Sequence, residues 1–332
     1  MKSIASCDWD TCPVAASPYG YPPSSAASAL FLIIHIGALI ACLSYTLQTR
    51  RWLRFSTSVS IACLFEIAGY GVRLASVSDP WNVFLYATST SFIIVAPAFV
   101  SVGVYLTVPE TIAILGVEHS PIDTKHYPRL IWIDAVGFII QAGGIVVSFS
   151  DISAHTGLGP RALIGNPIIA GGLALQALSL ISFIALFGIV LFRAAVAQAK
   201  FGHTTFHSVH GFVPMAHRFK FFVTMLLISV MCLFARAIYQ TLILASGLKS
   251  WNAKNQALFA GFDGFLVAEA AIGLMIAHPV IFLRNGIEKK LGSGSDPDLA
   301  KERTSPYRIE GYCSPSADEQ STGPRQTPPS SV

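Results

Sequence analysis

The feature that most constrains this chain is a set of seven long apolar runs, at 27–47, 56–76, 83–108, 130–149, 166–192, 221–245 and 258–283. Each reaches the roughly 20 residues that a helix needs to cross a hydrocarbon core about 30 Å thick. Inside hydrocarbon the backbone must satisfy its own hydrogen bonds, which leaves helices and closed barrels as spanning structures. Uninterrupted runs of this length lack the alternation of barrel strands. Composition agrees, because 53% of residues are hydrophobic and 12% charged, too few charges to cover a water-exposed surface. The expected fold is an all-α membrane protein, a seven-transmembrane helix bundle.

Basic residues near the span ends set its orientation. Twelve fall on one side, among them Arg50, Arg51, Arg54, Arg218 and Lys220, and four on the other, Lys2, Arg161, Lys249 and Lys254. Retained Lys and Arg mark the cytoplasmic side, so the N-terminus is expected outside and the C-terminus in the cytoplasm. The chain then divides into an extracellular N-terminal tail at 1–26, a seven-helix domain at 27–285 and a cytoplasmic tail at 286–332. The last has the Ser, Pro, Gly and mixed-charge composition of disordered chain. Residues 1–26 hold Asp8 and Asp10 and no basic n-region, so no cleavable signal is expected. Cys7 and Cys12 form the one cysteine pair on the oxidising side, where a disulfide is open but not required. The net charge of +4 sits mostly in loops, where it explains orientation and gives no reason to expect nucleic acid.

Ionisable groups inside spans are costly, which makes each a functional candidate. Glu66, Tyr70 and Arg73 stand at offsets of four and seven, on one face of the second span beside Gly69. Asp134, Gly137, Gln141, Gly144 and Ser148 form a similar stripe on the fourth, and Gly165, Gly172, Gln176 and Ser179 on the fifth. The sixth carries Ser229, Cys232, Arg236 and Tyr239, and the seventh Asp263 and Glu269. The bland reading is packing glue, and for the glycines alone it is the better one. The functional reading is a shared polar interior open to the outside, with Arg73, Arg236 and Asp263 in its outer half, Glu66 near the middle and Asp134 near the cytoplasmic end. Such an interior suits an amphipathic molecule whose head needs a polar partner while its tail stays in lipid. Pro97 removes a backbone donor from the third span and is a candidate hinge. His203, His207, His210 and His217 share the fifth loop, but no cysteine or carboxylate joins them and no metal is assigned.

Together these motifs resemble the fungal RTA-like family of lipid-translocating exporters. The resemblance runs through Tyr21-Pro22-Pro23-Ser24, Glu66, Gly69-Tyr70, Arg73, Ala96-Pro97, Tyr105, Asp134, Gln141-Ala142-Gly143-Gly144, Gly165, Gly172-Leu173, Gln176, Arg236, Tyr239, Phe262-Asp263 and His278-Pro279. The chain departs from the family pattern at Glu110 and Gln240, where basic residues are expected, at Ile243, where an acid is expected, and at Glu269, where an apolar residue is expected. The resemblance implies export or leaflet translocation of amphipathic compounds, such as sphingoid bases or toxic sterol-like molecules, with a part in lipid homeostasis, stress response or drug resistance. It implies residence in the plasma membrane, with the vacuole or another endomembrane as the other setting.

A heptahelical lipid-sensing or signalling receptor is the alternative, although Asp-Arg-Tyr and Asn-Pro-x-x-Tyr motifs are missing from the third and seventh spans. An intramembrane enzyme is not expected, because His35 and His278, the histidines within spans, lie near opposite ends. No P-loop is present, so neither a nucleotide nor another cofactor is implied. The expected partners are membrane lipids and an amphipathic small-molecule substrate, bound by Glu66, Tyr70, Arg73, Asp134, Gln141, Gln176, Arg236, Tyr239 and Asp263.

Overall fold

A computed structural model of the chain describes residues 7, 9–151, 159–207, 211–213, 215, 217–246 and 254–283. The tail at 286–332, residues 152–158 of the loop between the fourth and fifth spans, and His210 lie outside the described residues. Seven helices are long and apolar enough to cross a membrane. They are α1 Ser25–Thr49, α2 Leu53–Ala75, α3 Val83–Leu115, α4 Leu130–Phe149, α5 Ala162–Phe201, α6 His217–Ser246 and α7 Gln256–Phe282. A short antiparallel ribbon, β1 Thr205–His207 with β2 Gly211–Val213, follows α5. The protein is an integral, multi-pass membrane protein.

Local chemistry sets the helix ends. Ser24 caps α1 by accepting from the Ala27 amide, and Asn82 and Asn255 cap α3 and α7 in the same way. Arg50 and Trp52 turn the chain between α1 and α2 with left-handed φ values of 50° and 58°. The regular helix of α7 breaks after Ile276, ahead of Pro279, and the His278 ring accepts from the Val280 amide to start one last turn. α5 has 40 residues, about 60 Å of helix at 1.5 Å per residue, and so overruns the hydrocarbon on at least one side. The expected span at 166–192 is its apolar middle.

The helices close into a ring in chain order, with α7 returning against α1. α3 is the most enclosed, touching α2, α4, α5, α6 and α7, and 72% of its most apolar window is buried. One large apolar core joins Phe55, Val104, Ile112, Phe183, Phe187 and Phe222. The outer faces of the same helices carry exposed Leu30, Ile40, Ile139, Leu178 and Leu242, as a lipid-facing surface requires. α4 and α5 pack closely at Gly172, where an added Cβ would stand 2.6 Å from the Gly137 carbonyl and 2.7 Å from Gln141 Cγ. That contact is the small-residue stripe of the sequence made physical.

The N-terminal segment does not stand apart as a tail. Cys7 and Cys12 are joined by a disulfide. The Trp9 ring meets Trp81 edge-on at 5.3 Å, and the Tyr19 hydroxyl shares a 2.9 Å hydrogen bond with Ser76 at the end of α2. Gly20, at φ 73°, bends the chain where the Lys254 stem occupies the space of a Cβ. Residues 17–21 thereby lie over the ends of α2 and α3.

Candidate functional site

The polar residues of the bundle gather at the end where this segment sits. Residues Phe259–Phe265 of α7 form a π-helix, a wide turn that is rare and favoured at functional sites. Gly264 permits it to close on α1, since the Phe31 ring occupies the space of a Cβ there. From this wide turn Asp263 meets two residues one turn apart on α6. Arg236 Nε donates to Oδ1 at 2.7 Å and Gln240 Nε2 donates to Oδ2, also at 2.7 Å. Arg236 and Asp263 are each 1% exposed.

The rest of the Arg236 guanidinium answers a need created by Pro97. In a regular helix the Ile93 carbonyl accepts from residue 97, but proline has no N–H to give. Arg236 Nη2 supplies the missing donor at 2.9 Å, and Nη1 reaches the Ile94 carbonyl at 3.4 Å. α3 therefore continues through Pro97 with its freed carbonyl satisfied from α6. Arg236 binds three helices together and does not line the cavity between Arg73 and Asp263.

Arg73 is situated differently. It occupies the last turn of α2, is 4% exposed, and donates from Nη2 to the Tyr21 hydroxyl at 2.7 Å. Its guanidinium lies 3.9 Å from the Phe259 ring centre and 4.7 Å from that of Tyr19, distances at which ring faces stabilise a cation. No carboxylate pairs with it among the described residues. Burial pushes the Tyr21 phenol above its ordinary value, outweighing the opposite pull of the Arg73 cation, so Tyr21 accepts as a neutral phenol.

Between Arg73 and Asp263 lies a cavity of about 60 Å³, whose walls include Tyr21, Tyr86, Tyr239, Gln240 and Ile243. One water needs about 10–15 Å³ by this measure, so the space holds a few waters or a small polar head group and no long chain. Tyr239 stacks on Phe262 at 4.9 Å along its rim.

Of the residues singled out in the sequence, Arg73, Tyr239 and Asp263 line this cavity and Arg236 supports it. Glu66 and Tyr70, each 1% exposed, lie deeper, and neither the Glu66 carboxyl nor the Tyr70 hydroxyl has a hydrogen-bond partner. The His35 ring stacks 6.0 Å from Tyr70, with Nδ1 on the Phe31 carbonyl and Nε2 unpartnered. Asp134, Gln141 and Gln176 belong to a separate seam between α3, α4 and α5. There Ser101 donates to Asp134 at 2.7 Å, Gln141 donates to Gln176 at 3.3 Å, and Tyr105 meets Ser179 at 3.0 Å. The stripes thus form separate polar groups and not one shared interior. Tyr19, Tyr21, Phe259 and Gln240 were not singled out as site residues, and the motif that holds Tyr21 was the one available signal for it.

The family model described as RTA1 like protein matches residues 59–286. The sphingoid long-chain base transporter RSB1 of Saccharomyces cerevisiae strain Lalvin EC1118 is 24% identical over 277 residues, covering 75% of this chain and 68% of the relative. The RSB1 sequence of strain S288c matches with the same identity and coverage. No solved structure matches the chain. Because the family match extends from α2 through α7 and takes in Arg73, Pro97, Arg236 and Asp263, the chain belongs to the RTA1-like protein family.

Proposed function

We propose that this protein exports amphipathic lipid-like molecules, or moves them between leaflets, with the cavity end of the bundle facing outside. The observation that carries the reading is the cavity itself, a small polar space beside a cation that pairs with no carboxylate among the described residues, set in a bundle whose flanks face lipid. A head group enters beside Arg73, Tyr239 and Asp263, while its chain remains against apolar Ile94, Ile243 and Leu244. Arg236 and Gln240 position Asp263, and Gln240 also forms part of the cavity wall. Glu66 and Tyr70, with buried polar atoms that nothing satisfies, form the next position inward. Pro97 gives α3 a place to bend when the Arg236 contact is released.

Family membership supports the class of activity, and the relative named as a transporter of sphingoid long-chain bases supports a lipid-like cargo. The plasma membrane is the proposed site of action, with transport and not signalling as the output.

The test is efflux of labelled amphiphiles, a sphingoid base and its phosphate ester among them, from fungal cells expressing the protein. Faster efflux of either than in empty-vector cells supports transport. No difference for any probe removes export as the function.

A further inference from the structure

We propose that the cavity selects an anionic head group, a phosphate monoester or a similar oxyanion carried by an amphiphile, with Arg73 as its recognition residue. This rests on the reading of the cavity as a head-group site and adds the sign of the charge that it takes.

The argument is a charge count at one place. Among the described residues Asp263 is the one acid lining the cavity, and both of its oxygens already accept, one from Arg236 and one from Gln240. A cationic amine would have to compete with those bonds for a carboxylate already neutralised by a buried guanidinium. Arg73 has no such claim on it. Among the described residues its one hydrogen bond goes to a neutral phenol, and its ring contacts with Phe259 and Tyr19 stabilise the cation without cancelling its charge. Asp10 and Asp79 lie at the same end but stand exposed, and neither lines the cavity. Lys254, whose stem packs on Gly20, adds a second positive charge nearby.

A buried cation that pairs with no carboxylate among the described residues is expensive, and an incoming oxyanion removes that cost while forming charge-assisted bonds to the guanidinium. The fork geometry of arginine suits a phosphate better than a point charge does. The volume between Arg73 and Asp263 admits such a group, and the apolar wall of Ile93, Ile94, Ile243 and Leu244 receives the first part of its chain.

The test is equilibrium binding to the full-length protein in lipid nanodiscs, using a sphingoid base and its phosphate ester of equal chain length. The ester is expected to bind at least about tenfold more tightly. Arg73→Gln should abolish that preference by weakening the ester at least about tenfold relative to the free base, and Arg73→Lys should retain part of it. The wild-type ratio alone decides the matter if a variant fails to fold. Equal or tighter binding of the free base would overturn the proposal. Inorganic phosphate serves as competitor. Displacement only at concentrations far above those of the ester supports an amphiphile site, whereas displacement at comparable concentrations overturns it in favour of a free-anion site. Binding is read without transport, so the two claims fail separately. Ester selectivity without efflux would sink export and leave this inference standing. Efflux of the free base that survives Arg73→Gln and is lost in Asp263→Asn would do the reverse.

Discussion

Replacing Arg236 with methionine keeps most of the side-chain length and removes every polar contact that it makes. Asp263, 1% exposed, then loses its ionic partner and keeps only Gln240. The Ile93 carbonyl, which Pro97 cannot serve, loses the donor that Arg236 supplies. Breaking a buried ion pair by deleting one partner costs about 3–5 kcal/mol. An orphaned buried acceptor adds about 1–3 kcal/mol, part of which is regained as Asp263 takes up a proton and α3 relaxes. The expected loss is therefore about 4 kcal/mol, close to three orders of magnitude in the folding equilibrium. Denaturant unfolding in detergent micelles, followed by tryptophan fluorescence, measures it. Asp263→Asn alone should cost less, and the double variant should lose at least about 2 kcal/mol less than the sum of the two singles. A loss below about 1 kcal/mol for Arg236→Met, or additivity within about 0.5 kcal/mol, would refute the placement of Arg236 as a bolt between α3, α6 and α7.

Three further outcomes follow from the packing and the polar groups. Gly172→Ala places a methyl group 2.6 Å from the Gly137 carbonyl, so α4 and α5 must separate; a loss of about 1–3 kcal/mol in the same unfolding assay is expected, and an unchanged midpoint would contradict the close approach. Glu66→Met removes two buried oxygens that nothing satisfies and should leave stability unchanged or raise it by about 1–3 kcal/mol, while lowering transport; a destabilised but fully active variant would remove Glu66 from the inward position. Tyr21 has a raised phenol pKa in the fold, so the stability that it contributes is fully present below the unfolded value of about 10 and is lost as pH rises through the folded one. The difference in unfolding midpoint between the wild type and Tyr21→Phe should thus stay constant from about pH 7 to 9 and shrink only above about pH 10, and a fall within the lower window would show that Tyr21 ionises beside Arg73.

The seven spans were legible because hydrocarbon imposes a single length requirement that runs of leucine, isoleucine and valine meet openly. The α4–α5 seam was legible for a related reason, since Gly137, Gln141, Gly172 and Gln176 recur at helical spacing and leave those helices one way to approach. What spacing does not reveal is which face meets which. Arg73 shares a face with Glu66, which suits it either to hold a carboxylate ionised or to meet a phosphate, and the folded N-terminal segment and the π-turn bring Tyr21 and Phe259 to it. That segment read as a tail because its anchoring contacts are a few isolated aromatic rings, without periodicity. The π-helix around Asp263 leaves no trace in apolar content, and Gly261 and Gly264 are its only hints. Pro97 announced a lost hydrogen bond, but the donor that repairs it comes from Arg236, 139 positions later in the chain.

The central claim is that the cavity between Arg73 and Asp263 is where the moving molecule is held. Its most direct test is the rate at which a labelled phosphate-headed amphiphile crosses between leaflets of proteoliposomes holding the wild-type protein or Arg73→Gln, matched for incorporation and unfolding midpoint. The account predicts movement above protein-free vesicles for the wild type and a rate at least about tenfold lower for the variant, a barrier change of about 1.4 kcal/mol. Equal rates in the two preparations would place the transport path elsewhere in the bundle.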